Sequence, residues 1–287
     1  MEGRIIRIIS DQYQTIDNNK NIYNCICLGR IRLQKKPKVG DFVIFNIYED
    51  KYAIEKIKSR KNELVRPPLA NIDYTVIVMS AAEPDFSPVL VDRLIFLSSY
   101  ANIIPIIYIT KMDLIQEDNI IYNYINDYKN SGYQLFIGNK NKLDASFLDF
   151  INKKVCVLMG QSGVGKSSLM NLIYPHYKLK TQEISKALNR GKHTTRHSQL
   201  YLVNDGLLAD TPGFSALEFK DIDLSIMKDC IIDFRNHINK CKFNDCLHIN
   251  EPDCAIKNAV SEGLISSIRY NNYKELVNIV LKGDKLL

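Results

Sequence analysis

No apolar run in this chain of 287 residues approaches the ~20 residues that a membrane-spanning helix needs. The longest, Val76–Ala82 and Ile103–Thr110, fall far short. The N-terminus reads Met1-Glu2-Gly3-Arg4 and is polar by Ser10-Asp11, so it lacks the apolar stretch of a secretory leader. These absences argue against a membrane protein and lead to the expectation of a cytoplasmic one. Internal repeats and low-complexity tracts are also missing. Cysteine is sparse, at 7 residues, and in a reducing compartment these read as thiols or metal ligands, not as a disulfide framework. What is present is ordinary folded material: 46% hydrophobic and 24% charged residues, enough for more than one core and incompatible with a wholly disordered chain. Length alone suggests about two domains at roughly 150 residues each.

The net charge of +6 is unevenly spread. Residues 1–66 hold 14 Lys+Arg against 8 Asp+Glu. A second basic zone comprises Lys178, Lys180, Lys186, Arg190, Lys192 and Arg196, opposed only by Glu183. Scattered lysines merely keep a surface solvated. Two local concentrations in an otherwise balanced chain point to a polyanionic partner, and nucleic acid is the commonest.

Three regions differ in pattern. Gly3–Ile16, Asn21–Arg32, Asp41–Ile47 and Tyr52–Lys58 are β-rich runs bounded by turn-forming or charged residues. So many short strands in so short a span predict a small barrel, and its basic character with Tyr13, Tyr23, Phe42 and Tyr52 suits an OB-fold. Those aromatics are more often barrel core than stacking platforms. Val65-Arg66-Pro67-Pro68 reads as a linker. Beyond it, apolar strands (Tyr74–Ser80, Ile103–Ile109, Tyr133–Ile137, Lys154–Met159) alternate with helices (Val89–Tyr100, Ile120–Lys129, Ser146–Ile151, Lys166–Tyr174), the pattern of a mostly parallel α/β sheet. From about Asp223 the chain reads as helical, interrupted by a Cys-rich loop at 241–254. The expected division is a barrel at 1–66, an α/β domain at 67–220 and a helical domain at 221–287.

Gly160-Gln161-Ser162-Gly163-Val164-Gly165-Lys166-Ser167, followed by Ser168, matches G-x-x-x-x-G-K-[ST] in full, between a strand and a helix start. Glycines let backbone N–H groups turn around phosphate oxygens at a helix N-terminus. Lys166 is expected on the β- and γ-phosphates and Ser167 on Mg²⁺. Asp210-Thr211-Pro212-Gly213 supplies the D-x-x-G element, with Asp210 near the metal and the Gly213 N–H near the γ-phosphate. Between the two lies His193-Thr194-Thr195-Arg196, where either Thr194 or Thr195 would bind Mg²⁺, Thr195 being slightly preferred. Thr110-Lys111-Met112-Asp113 resembles the N-K-x-D guanine reader of GTPases. There the Asp carboxylate accepts from guanine N1–H and the 2-amino group, a pair adenine does not offer. Thr110 replaces the usual Asn, and Gly138-Asn139 stands where a Ser-Ala element is usual. No residue is assigned as catalytic base. Phe214 occupies the position at which Ras-like enzymes carry the water-orienting Gln, so slow unassisted hydrolysis is expected.

Cys241-x4-Cys246-x-His248-x5-Cys254 has the ligand set and spacing of a closed tetrahedral Cys₃His zinc site, structural because it lacks an open position. Cys25, Cys27, Cys156 and Cys230 lack such company and read as core.

The base reader at 110–113 precedes the phosphate loop at 160–167, and D-x-x-G follows at 210–213. That order is a circular permutation. With a basic barrel ahead and a Cys₃His segment behind, the chain closely resembles the bacterial circularly permuted GTPases of small ribosomal subunit maturation. Gly191-x-His193-Thr194-Thr195-Arg196-His197 and Asp210-Thr211-Pro212-Gly213-Phe214 look like that family's own switch motifs. The resemblance implies an OB-fold, a P-loop GTPase domain and a helical zinc-binding domain that together grip the 30S subunit and its 16S rRNA. It also implies a monomer using GTP with Mg²⁺ and one zinc, with GTP favouring binding and hydrolysis favouring release. Two other readings compete: a zinc-stabilised RNA-binding module with a nucleotide-sensing site, and a P-loop ATPase acting on another nucleic acid. Asp113 argues against ATP; Lys166, Ser167 and Asp210 argue against an inert site.

Overall fold

A computed structural model describes residues 1–139, 142–175, 199–210 and 222–282. The described residues group into two compact units. The first comprises residues 1–74, 145–158, 166–175 and 199–210; the second comprises 75–139, 142–144, 159–165 and 222–282. Among the described residues no helix is long and apolar enough to cross a membrane.

The first unit begins with the expected barrel. Strands β1 (Glu2–Ile9), β2 (Gln12–Ile16), β3 (Ile22–Cys27), β4 (Phe42–Tyr48) and β5 (Lys51–Ile57) close in the order β1-β2-β3-β5-β4. Pairs are antiparallel except β3 with β5, and β1 seals the barrel against β4. Alternation works as the pattern requires: Ile5, Tyr13, Cys25, Val43, Phe45 and Ile54 point inward and are buried. Tyr23, Phe45 and Tyr52 pack edge to face or tilted, with centroids 4.9 to 6.1 Å apart. Phe42, by contrast, is 40% exposed and belongs to the outer surface. The run expected as one strand over Gly3–Ile16 is a hairpin turning at Ser10, whose φ is +52°. The run expected over Asn21–Arg32 stops at Cys27 and gives way to helix α1 (Gly29–Gln34). There Ile31 N bonds Leu28 O and winds the backbone out of the ladder.

The segment expected as a linker is a tight ribbon. β6 (Glu63–Leu64) pairs antiparallel with β7 (Leu69–Ala70), and Pro67-Pro68 sit in its turn, where a missing N–H costs nothing. Asp41 is fully buried and accepts from Arg60 Nε at 2.7 Å and Lys38 N at 2.7 Å, which fastens this stretch to the barrel. The same unit holds α4 (Ala145–Ile151), β11 (Val155–Met159, continuing into the second unit), α5 (Lys166–Ile173), β12 (Leu200–Val203) and β13 (Gly206–Asp210). β11 and β13 run parallel, and β12 returns antiparallel along β13.

The second unit carries β8 (Tyr74–Ser80), α2 (Pro88–Tyr100), β9 (Ile104–Thr110), α3 (Ile121–Asn130) and β10 (Leu135–Ile137). β9 and β10 are parallel. Ser87 caps α2, its Oγ accepting from Leu90 N at 3.3 Å, and Pro88 opens the first turn. The C-terminal part is less helical than its composition suggests. After the four-residue α6 (Leu224–Met227) the backbone turns in short 3₁₀ pieces, with Cys230, Ile231 and Phe234 each buried as an anchor. Regular helix resumes at α7 (Ala255–Ser261) and α8 (Ser267–Lys282). α8 buries Arg269, Tyr270, Tyr273, Leu276 and Val277, a stripe at helical spacing.

Candidate functional site

All five residues of β11 are buried, which leaves its C-terminal end as the point where the chain can reach a ligand. The loop that follows has left-handed glycines at 160, 163 and 165, with φ of +143°, +84° and +94°. Such a backbone lets successive N–H groups converge on an anion. A Cβ at Gly160 would lie 2.2 Å from the Val78 carbonyl oxygen, so a side chain there would drive the loop off β8. Val164 is wholly buried and pins the loop, while Ser162 and Gly163 stay exposed.

Lys166 opens α5 and is 8% exposed. Ser167 and Ser168, one and two residues on, are exposed in the first turn. The β11–β13 register sets Asp210 abreast of Leu158, at the same edge of the sheet, with the carboxylate 6% exposed. Burial pushes the Lys166 ammonium pKa down, and the Asp210 carboxylate works against that shift. A nearly buried cation that feels a buried carboxylate is suited to receiving phosphate and a divalent metal. Thr194, Thr195 and Gly213 lie outside the described residues, as do His193, Arg196, His197, Phe214 and the basic zone at 178–196.

The base-reading turn sits at the end of β9. Lys111 has φ +57°, and Met112–Leu114 form one 3₁₀ turn that leaves Asp113 exposed. Lys111 Nζ donates to the Glu83 carbonyl. Thr110, where the N-K-x-D pattern has Asn, ties this turn to the phosphate loop. Its Oγ1 donates to the Val164 carbonyl at 2.6 Å, with Met79 O at 3.2 Å as a second neighbour. A hydroxyl has one hydrogen, so the shorter contact is the bond. Gly138-Asn139 follow β10, and Gly138 N donates to Ile109 O at 2.8 Å. A Cβ on Gly138 would meet the Tyr108 hydroxyl at 2.2 Å, so glycine is what this packing accepts.

The four predicted metal ligands converge. Their ligand atoms all lie within 4.8 Å of one another. Cys241 Sγ is 3.5 Å from His248 Nδ1 and 4.0 Å from Cys254 Sγ, and His248 Nδ1 is 3.4 Å from Cys254 Sγ. Tetrahedral zinc, with bonds of about 2.3 Å to sulfur and 2.0 Å to nitrogen, requires sulfurs about 3.8 Å apart and S···N near 3.5 Å. The cage fits. Nδ1 faces the thiols, and burial pushes the His248 pKa down to about 4, which keeps the ring neutral as a ligand must be. The loop is braced from outside: Glu251 accepts from Leu247 N and Ile249 N, Tyr270 donates to His248 O at 2.8 Å, and Tyr273 donates to Leu247 O at 3.1 Å.

One constellation had no local signature. Arg269, 1% exposed, donates to Asp233 at 2.5 Å, Asp127 at 2.9 Å and Ser131 at 2.6 Å. Its guanidinium lies 4.6 Å over the Tyr128 ring, whose hydroxyl donates to Asp92. Burial raises the Asp92 pKa to about 6 against the opposing pull of Arg269. This buried network ties α8, and with it the metal loop, to α2 and α3.

Comparison with known proteins agrees with this geometry. The family model described as RsgA GTPase matches residues 57–220, and the RsgA N-terminal domain model matches residues 2–54. The chain is 44% identical over 283 residues to a Bacillus cereus protein called small ribosomal subunit biogenesis GTPase RsgA, covering 96% of each. The Bacillus subtilis protein of that name is 44% identical over 287 residues, again at 96% of each chain. Among solved structures, the circularly permuted GTPase YloQ superimposes with a TM-score of 0.84 at 38% identity, covering 100% of this chain and 96% of that one. YjeQ from Thermotoga maritima gives 0.85 at 29% identity, with 98% of both covered.

Proposed function

The chain belongs to the RsgA GTPase family, and from that membership we propose how its residues serve GTP hydrolysis at the small ribosomal subunit. It is an enzyme, a GTP hydrolase acting in small-subunit biogenesis. The observation that carries the site assignment is the hydrogen bond from Thr110 to Val164. It joins the base-reading turn to the phosphate loop although their order in the chain is inverted, which supports the reading of one nucleotide site kept through the permutation.

In this reading the 160–165 backbone and Lys166 hold the phosphates, and Asp113 reads guanine with Lys111 alongside. Ser167 and Asp210 would hold Mg²⁺, joined by Thr194 or Thr195 and by the Gly213 N–H at the γ-phosphate. The metal, when bound with GTP, neutralises charge developing on the β- and γ-oxygens. Lys166 needs little reorganisation to act, because its charge is already largely out of water and supported by the Asp210 carboxylate. With Phe214 in place of a water-orienting Gln, the chain alone turns over slowly and is stimulated by the subunit. Cys241, Cys246, His248 and Cys254 hold one structural zinc.

The chain divides at 1–66, 67–220 and 221–287 and works as a cytoplasmic monomer that contacts 16S rRNA. The closed barrel with its basic excess supports an RNA-facing role for the first part. The GTP state binds the subunit and the GDP state leaves it. Co-sedimentation tests this cycle: with a non-hydrolysable GTP analogue the chain should pellet with small subunits, at least tenfold more than with GDP, an effect on the order of 1.4 kcal/mol. Salt should weaken the association. Equal recovery with both nucleotides would overturn the cycle.

A further inference from the structure

The loop between β8 and α2, residues 81–87, belongs to no motif read from the sequence, yet it touches both parts of the nucleotide site. β8 leads into it through Ser80, whose side chain is wholly buried. Ser80 Oγ donates to the Pro84 carbonyl at 2.5 Å, which folds the loop back over the end of its own strand. Ala81 N donates to Thr110 O at 2.9 Å, so the pairing of β8 with β9 continues as far as the base-reading turn. At the other end Phe86 stacks on Tyr124 of α3, with centroids 5.6 Å apart, and Ser87 caps α2. The loop is thus held at both ends and in its middle.

Two of its groups adjoin the site. The Glu83 carbonyl accepts from Lys111 Nζ. Pro84 lies against the phosphate loop, since a Cβ on Gly163 would come 3.5 Å from Pro84 Cδ. Glu83 has φ +53°, a left-handed conformation that a non-glycine residue keeps when its surroundings fix it. The Ser80 bond to the carbonyl of the next residue is one such constraint. A lysine on a surface turn ordinarily keeps its ammonium in water and samples many rotamers. Here a main-chain carbonyl takes one of its three N–H groups, so the course of the four-carbon stem is set before nucleotide arrives. Ordering a long side chain in advance removes that cost from binding.

We propose that Ser80 is a positioning residue for the nucleotide: by anchoring the 81–87 loop it holds the Glu83 carbonyl for Lys111 and so fixes the lysine stem alongside guanine. The proposal rests on the reading of residues 110–113 as the base-reading turn. It adds a group that acts through Lys111 and not by touching the reacting atoms.

The test follows release of a fluorescent GDP analogue and steady-state GTP hydrolysis with the full chain, where slow chemistry makes KM a measure of affinity. Ser80→Ala should speed release and raise KM about tenfold each, the worth of one hydrogen bond, while kcat falls less than about threefold. Lys111→Met should weaken binding at least as much. The double variant should release nucleotide no more than about twofold faster than Lys111→Met, because the loop then has no ammonium to hold. Losses that multiply in the double variant would show that Ser80 serves the fold and not the lysine, and would overturn the proposal. Unchanged release in Ser80→Ala would do the same. Should that variant melt early, Ser80→Cys, whose thiol is a weaker donor, carries the same cycle. Unchanged release in Lys111→Met overturns the base-reading assignment itself, whereas a Lys111 effect without a Ser80 effect faults the brace alone.

Discussion

Replacing Lys166 by Ala should lower single-turnover GTP hydrolysis by a factor of about 10²–10³, the range seen when a preorganised charge at the reacting phosphate is removed. The reason lies in where the ammonium sits. It is nearly buried, its pKa is pushed down by desolvation, and Asp210 holds it in the charged form. In water such a charge would be strongly screened; here, largely out of water, it is screened less as charge develops on the phosphate. Removing it also leaves Asp210 without that opposing cation, so Lys166→Met, which keeps most of the volume, is the companion variant. Both should hydrolyse equally poorly while melting near the parent temperature. Turnover within threefold of the parent would show that the phosphate loop is not the reacting site.

The second large effect concerns the metal cage. Protein purified without chelators should contain one zinc per chain by elemental analysis, and Cys246→Ala should contain far less. Cys246 and Cys254 are buried and Cys241 half-buried, while His248 is fully buried, so an empty cage leaves a cluster of thiols and an imidazole without a centre. Burial pushes the Cys246 thiol up to about 12 when no metal is present, which means the metal must supply the driving force for its ionisation. Structural zinc binding is worth on the order of 10 kcal/mol in small domains. Even a fraction of that loss should melt the 241–254 loop and lower the thermal midpoint of the C-terminal part. A parent protein free of zinc would contradict the assignment.

Much of this was legible locally. The phosphate loop and the Cys₃His spacing are short patterns whose chemistry needs those residue types at those intervals, and the four Cys and His ligand atoms converge in space. The barrel was legible from alternation, because Tyr13, Cys25 and Val43 each sit on the inward face of a two-residue period. What the sequence concealed depends on long-range contacts. Arg269 draws on Asp92, Asp127, Ser131 and Asp233, which share no interval, and its burial follows only from helix α8 lying against α2. The strand expected through Arg32 ends early because Gly29–Gln34 contains good helix formers, while the partner strand β5 pairs only with Cys25–Cys27. By pattern Phe42 belongs with the core aromatics, yet it lies on the outward side of β4, beside Arg4. Thr110 shows the opposite lesson. It departs from the usual Asn, but its hydroxyl reaches the phosphate loop, so this turn is tethered there all the same.

The most direct measurement is GTP and ATP turnover by the full chain, with and without purified small ribosomal subunits. The chain alone should hydrolyse GTP at or below the ~10⁻⁴–10⁻² s⁻¹ of unassisted GTPases. Subunits should raise that rate by at least an order of magnitude, and ATP should be turned over in neither condition. Fast GTP hydrolysis by the isolated chain that subunits leave unchanged, or equal use of ATP, would contradict it.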